Sequence, residues 1–440
     1  MSSTKDLTKG AIKSQLIALT FPLIVGNILQ QFYNTMDSFI VGRYVGHSAF
    51  AAVGVAGSIM NLFIFVLNGA CNGISIIFAQ LYGQKRWERL KRESFVSLLL
   101  GGIFTLGLSA LSMFFLKPLV FAIQTPKNVR PYVFDYLWII LAGLLITFLY
   151  NWCSSALRAA GDTKTPLWTL IISMVLNLIL DFIFVVFFKM GTAGTATATV
   201  LAQLISFICC LFMMRKKCPI FFFGTKDMKF DKVLIKKTAN YGIVSALQQS
   251  SIYIGKLLVQ GAVNTGGTDM ISAYTATMRI EGFTNSFGDS GAAALSVFVA
   301  QNDGARQKER AKKGFKEGMI LLCFSSVILG ILMILFTKEF VILLMGNPSE
   351  AVMQNAVMYM NIISVFYILC FIGSAYVGFF RGVGMVAVPV IGSTLQIAIR
   401  AVLSYIMISR FGLSAVAIAT GIGWIAIVLF HTFIYRRKKY

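Results

Sequence analysis

The chain has 440 residues, 57% of them hydrophobic and 13% charged, with a formal net charge of +22. Soluble domains carry about a quarter charged residues, whereas here apolar runs of about 20 residues recur along the whole length. That excludes a soluble enzyme, and the length of the runs excludes a β-barrel, whose strands would be short and alternating.

The polar N-terminus "MSSTKDLTKGAIKSQ" lacks a short apolar core with a small-residue cleavage site, so no signal peptide is read. Twelve apolar segments follow, near 15–41, 51–80, 94–122, 133–157, 166–188, 192–214, 239–263, 270–299, 317–345, 352–380, 389–409 and 413–434. With the N-terminus inside, 29 of the 39 Lys and Arg fall in inner segments, 7 in outer ones and 3 within spans. This asymmetry predicts a multi-pass protein of the cell membrane with both termini in the cytoplasm. The basic excess is then a topology signal with affinity for anionic lipid, and not a nucleic-acid footprint.

The seven cysteines fall mostly inside apolar runs without metal-type spacing and read as small buried hydrophobes. His47 and His431 lie near span ends. No Walker loop, dinucleotide fingerprint or HExxH occurs. The chain therefore reads as no enzyme and as needing no cofactor. The expected partners are small-molecule substrates and membrane lipid, bound by a monomer.

The sequence repeats. "AQLYGQKRWERLKR" at 79–92 returns as "AQNDGARQKERAKK" at 300–313, a shift of 221. "RAAGDTKTPL" at 158–167 returns as "RGVGMVAVPV" at 381–390, a shift of 223, and "GTAGTATAT" at 191–199 as "GLSAVAIAT" at 412–420. The expected domains are a six-helix bundle over 1–214, a basic cytoplasmic linker over 215–237, and a second six-helix bundle over 238–440. An even number of spans per half makes the halves parallel, related by a pseudo-two-fold axis along the membrane normal. Duplicated bundles of this kind point to a transporter working by alternating access ahead of an inert scaffold or a channel.

Few acids lie within the spans, and each costs enough in lipid to be a functional hypothesis by default. Asp37 lies fifteen residues past Pro22, and Asp181 fifteen past Pro166. At about 1.5 Å per residue both reach the outer half of the bilayer. Thr199 on the next, inward-running span falls at a similar depth. Asn177 precedes Asp181 by four residues and shares its helix face. These four residues form a hard-oxygen set that suits Na⁺ or a shared proton. Plain inter-helix hydrogen bonding is the alternative for Asn177 and Thr199. The shift of 223 maps Asp181 to Ser404 and Asn177 to Arg400, so the ion site is expected in the first half only. Tyr33, Gln248, Gln249, Lys256, Glu281, Asp289 and Arg400 are candidate cavity or substrate-binding residues. Arg279 and Glu281, two apart, each need their own partner, such as Lys256 or Arg400 for the acid. Pro22 breaks one backbone bond and is either a static kink or a hinge.

The stretches "FPLIVGNILQQFYNTMDSFIVGRYVG", "AQLYGQKRWERLKR", "SSALRAAGDTKTPL", "NLILD", "ISAYTATMRIEGF" and "FVAQNDGA" together resemble the MATE (multidrug and toxic compound extrusion) family. The resemblance runs nearly end to end. It implies an antiporter expelling organic, often cationic and aromatic, compounds in exchange for H⁺ or Na⁺. It looks like the branch whose coupling acids lie in the N-terminal bundle, and it carries the ion-coupling roles onto Asp37, Asn177, Asp181 and Thr199 and the helix-bending role onto Pro22. The other branch's acid in the seventh span has no match; Gln248, Gln249 and Lys256 stand there. Lys256, Arg279 and Arg400 favour a second reading, a flippase or exporter of an anionic or lipid-linked substrate. A channel or non-transporting receptor is a third.

Overall fold

In the computed structural model, residues 6–122 and 125–438 are described; the side chains of residues 34, 35, 37–39, 47 and 122 lie outside that description. Every regular element among the described residues is helical, as a bilayer demands of backbone that it cannot hydrogen-bond. The first half holds α1 (Ile12–Tyr44), α2 (His47–Gly83), α3 (Trp87–Phe114), α4 (Leu116–Ala122), α5 (Arg130–Ala142), α6 (Leu144–Ala159), α7 (Lys164–Asp181) and α8 (Gly191–Lys217). The second holds α9 (Lys232–Asn264), α10 (Thr268–Gly304), α11 (Lys308–Met345), α12 (Glu350–Gly382), α13 (Ala387–Phe411) and α14 (Leu413–Arg437).

Three spans of the first half are interrupted. α3 gives way to α4 at Phe115. α5 and α6 meet at a 47° bend around Gly143, where a Cβ would stand 2.5 Å from Val200 Cγ2. α7 runs into a π-helical stretch, Phe182–Phe187, directly after Asp181. With each interrupted span taken as one, the described residues form twelve helical rods, ten of them long and apolar enough to cross a membrane. α9 and α10 fall short of the apolarity of a lipid-facing span. They are the two that carry Gln248, Gln249, Lys256, Glu281 and Asp289.

The repeat is visible in the backbone. α1 and α9 each have 33 residues, and α2 and α10 each have 37. Lys85 (φ 55°) and Arg306 (φ 60°), at equivalent positions of the repeat, both adopt the left-handed conformation, which costs a side chain roughly 1–2 kcal/mol. The turn that follows the second span is thus built the same way twice.

The chain forms two compact units. The first holds Val25–Ala246, and the second holds Leu7–Ile24 with Leu247–Tyr440. α1 and α9 each begin in one unit and end in the other. α1 continues unbroken through Pro22, which is buried two residues before that change.

In the first unit Trp152 donates its indole N–H to Ser97 Oγ at 3.0 Å. Phe78 packs edge-on against Trp152 and Phe221, with centroids 5.8 and 5.2 Å away. α2 and α9 meet backbone to backbone. A Cβ on Gly69 would stand 2.6 Å from Ala246 Cα, and one on Gly73 2.3 Å from Tyr241 O. Small residues four apart permit this approach, which in lipid is driven by van der Waals packing. In the second unit Leu7, Leu16 and Leu19 are buried in one apolar cluster with Tyr274, Tyr359, Tyr367, Phe371 and Phe379. All seven cysteines are free; Cys71, Cys153, Cys210 and Cys218 are buried and the other three partly so.

The "GDTK" stretch closes the junction between α6 and α7. Asp162 Oδ1 accepts the N–H groups of Lys164 and Thr165 at 3.1 and 3.0 Å, capping α7. Its Oδ2 accepts the Thr165 hydroxyl at 2.6 Å and lies 3.5 Å from Lys217 Nζ at the end of α8. Beside this pair, burial and then the Asp162 charge push the Cys218 thiol up to about 12.

Candidate ion-coupling and substrate sites

In the first unit α1, α7 and α8 converge on one hydroxyl. Tyr33 Oη donates to Thr199 Oγ1 at 3.3 Å, and Asn177 Nδ2 donates to the same oxygen at 3.4 Å. Asn177, Asp181 and Thr199 are all buried, Asp181 completely. Asp181 lies one turn beyond Asn177 on the same face of α7, where the helix widens into its π stretch. π-Turns re-aim side chains and occur often at functional sites. The small side chains Thr195, Ala196, Ala198 and Ala202, all buried on α8, let this helix approach closely. The structure therefore brings Asn177, Thr199 and Tyr33 together, with Asp181 adjoining on α7. Asp37 lies on α1, but its side chain is outside the described residues.

The second unit carries a larger polar cluster. Tyr359 Oη donates to Glu281 Oε1 at 2.7 Å and Tyr367 Oη to Glu281 Oε2 at 2.8 Å. The partner expected for this acid was a cation, Lys256 or Arg400. No ion pair of Glu281 forms among the described residues; its oxygens each accept from a tyrosine hydroxyl instead. Arg400, the repeat counterpart of Asn177, donates from Nη2 to Tyr274 Oη at 3.2 Å. Tyr274 and Tyr359 pack edge to face at 6.0 Å. Arg381 Nη2 donates to Gln248 Oε1 at 2.8 Å.

Lys256 lies within electrostatic reach of Asp289, Arg400 and Glu281, and Asp289 within reach of Lys256 and Arg381. Lys256 and Asp289 both keep exposed surface. Gln249 is half-buried beside Gln248, and Arg279 is exposed. The cluster holds three cations, Lys256, Arg381 and Arg400, against two acids. It is a mixed-charge surface rather than an acidic one.

The MatE family model matches residues 22–183 and 242–406, most of the chain. The chain belongs to the MATE family. A second model, described as the lipid II flippase MurJ, matches residues 131–260. Among relatives of this MATE transporter, "Probable multidrug resistance protein YpnP" of Bacillus subtilis is 28% identical over 403 residues, 91% of this chain and 87% of that protein. "Probable multidrug resistance protein YoeA" of the same organism is 28% identical over 343 residues, 76% of this chain and 74% of that one. A solved structure of a MOP superfamily transporter from Pyrococcus furiosus superposes with a TM-score of 0.92 at 21% identity, covering 99% of this chain and 98% of that one. That protein is described as having a binding pocket of reversed polarity that suggests a different function. The two-lobed MATE fold is thus shared, and the chain is a multi-pass membrane transporter rather than an enzyme.

Sequence reasoning missed the tyrosines. Tyr359 and Tyr367 are eight residues apart on α12, two helical turns, so they share a face. Two hydroxyls on one face of a span are a legible sign of an acid opposite them. Tyr274 carried no such sign, since its partner Arg400 is three helices away.

Proposed function

We propose that this MATE chain is a secondary antiporter that exports organic compounds in exchange for H⁺ or Na⁺ by alternating access. The observation that carries the reading is the fully buried Asp181 beside the shared hydrogen bonds of Tyr33, Asn177 and Thr199. Asp37, Asn177, Asp181 and Thr199 form the ion-coupling set. A cation or proton arriving there neutralises carboxylate charge and reorders the contacts that α1 makes with α7 and α8. Pro22 gives α1 one missing backbone bond at which to bend. Each six-helix half works as a bundle joined by the linker at 215–237. The monomer lies in the cell membrane with both termini in the cytoplasm, by the distribution of its basic residues.

Transport of a fluorescent organic cation into inverted vesicles, under imposed ΔpH and then imposed ΔNa⁺, tests this reading. One gradient drives uptake, and both Asp37→Asn and Asp181→Asn abolish it. Uptake driven by neither gradient, or left intact by both substitutions, overturns it.

A second reading, export of an anionic or lipid-linked compound, is favoured by Lys256 and Arg400 in the polar cluster. The described pocket polarity of the Pyrococcus relative and the MurJ match support it. Under that reading, Lys256→Gln lowers transport of an anionic fluorophore at least ten-fold and leaves a cationic one unchanged.

A further inference from the structure

The second unit carries a charged cleft where the opening of α1 meets the opening of α11. Its volume is about 670 Å³, and its walls include Gly10, Lys13, Glu309, Arg310, Lys313 and Glu317. Arg310 fixes one wall by donating to Leu7 O at 3.2 Å, to Gly10 O at 2.9 Å and to Gln15 Oε1 at 3.0 Å. Both acids are already matched by a lysine, Glu317 by Lys13 at 3.5 Å and Glu309 by Lys312 at 3.2 Å. Lys313 is exposed and makes no ion pair or hydrogen bond among the described residues. The cleft is left with Arg310 and Lys313 in excess. The first turn of α1 adds a helix N-terminus, which favours a nearby negative charge. Tyr435 on α14 packs on Phe315 at 5.2 Å, which brings the exposed Arg436 and Arg437 to the same end of the unit.

Two apolar stripes lead away from this cleft. On α1, Lys13, Ile17 and Phe21 are exposed at four-residue spacing; on α11, Lys313, Ile320 and Phe324 are exposed at spacings of seven and four. Each set shares one face of its helix. Leu16 and Leu19, on another face of α1, are buried in the core of the unit with Phe315 and Leu322. Each stripe therefore begins with a lysine at the cleft and continues into side chains that suit lipid. A soluble anion uses the cleft alone, whereas an amphiphile with an anionic head and acyl chains uses the cleft and the stripes together.

We propose that this cleft is the binding site of one anionic phospholipid. Its phosphodiester lies at Lys313 and Arg310, and its acyl chains run along Ile17, Phe21, Ile320 and Phe324. Basic residues at the end of a span attract anionic headgroups. The lysine stem packs along apolar surface while its ammonium reaches the headgroup. A zwitterionic lipid brings its own cation to a cleft that already holds an excess of them, so it binds less well. The bound lipid ties the opening of α1 to α11 and so steadies the seat of α1 in this unit. The site shares no residue with the polar cluster around Glu281, and it is independent of which compound or ion the chain moves.

Amide hydrogen exchange of the full-length protein tests the proposal, in dodecyl maltoside micelles containing dioleoyl phosphatidylglycerol or dioleoyl phosphatidylcholine. Residues 8–16 and 308–317 are expected to exchange at least three-fold more slowly with the anionic lipid than with the zwitterionic one. Lys313→Gln should abolish that difference and Lys313→Arg should keep it. Lys316→Gln, exposed and outside the cleft, should keep it too. The water-soluble headgroup glycerophosphoglycerol, added without lipid, should protect neither segment. Equal exchange in the two lipids, a difference undiminished by Lys313→Gln, or full protection by the soluble headgroup each overturns the proposal. The last of these makes the cleft a site for free phosphate esters instead.

Discussion

Tyr33 on α1 and Asn177 on α7 donate to the same oxygen, Thr199 Oγ1 on α8, at 3.3 and 3.4 Å. A hydroxyl that accepts twice still has one proton to donate, so Thr199 orients whatever acceptor adjoins it. Thr199→Val keeps the shape and removes the hydroxyl. It should cut ion-driven transport about five- to ten-fold, the worth of roughly 1 kcal/mol, with folding unchanged. Tyr33→Phe should lose less, because Asn177 still reaches Thr199. Initial transport rates under a fixed gradient check both.

Glu281 is held by two tyrosine hydroxyls, and removal of either leaves a carboxylate oxygen unpaired in a buried site. Tyr359→Phe and Tyr367→Phe should each lower stability by about 1–3 kcal/mol. The pair should be non-additive, since both act on one carboxylate. Thermal unfolding of the purified protein in detergent, as single and double variants, reads the coupling directly.

Close helix approach makes glycine substitution position-dependent. Gly73→Ala puts a methyl 2.3 Å from Tyr241 O, whereas Gly102→Ala meets nothing within 4 Å. The first should destabilise by about 1–3 kcal/mol through forced separation of α2 and α9. The second should be neutral or slightly stabilising, because alanine is the better helix former. Melting temperatures of the two variants, measured side by side, decide it.

Asp162 caps α7 and pairs with Lys217. Asp162→Ala should cost about 1–2 kcal/mol, with the partly exposed Lys217 adding little. Local exchange in 162–168 should rise before any global loss of structure.

Cys218 is buried, and its thiol is pushed up to about 12 from an ordinary 9.0. The folded form therefore holds this proton more tightly than the unfolded form. The resulting stabilisation is complete below about 9 and is lost as pH rises towards 12. At neutral pH little thiolate is present, so maleimide should label Cys218 far more slowly in the native protein than in unfolded chain. Equal labelling rates would contradict the burial.

The sequence by itself determined the twelve spans, the duplication and the side on which basic residues gather. Each of these is written locally: a run of apolar residues long enough to cross a bilayer, a motif such as "AQLYGQKR" returning 221 residues later, and a count of lysines between runs. It also singled out Asn177 and Thr199, since polar groups stand out in an apolar run. Tertiary structure alone decided who meets whom. Apolar helix faces are chemically interchangeable in lipid, so which spans pair depends on side-chain fit across distant segments. That fit placed Tyr33 on Thr199 and gave Glu281 two tyrosines where a cation was expected. It also assigned the openings of α1 and α9 to the opposite halves of the repeat. Hydropathy carries none of this, because it records how much a residue avoids water and not which neighbour it avoids water with.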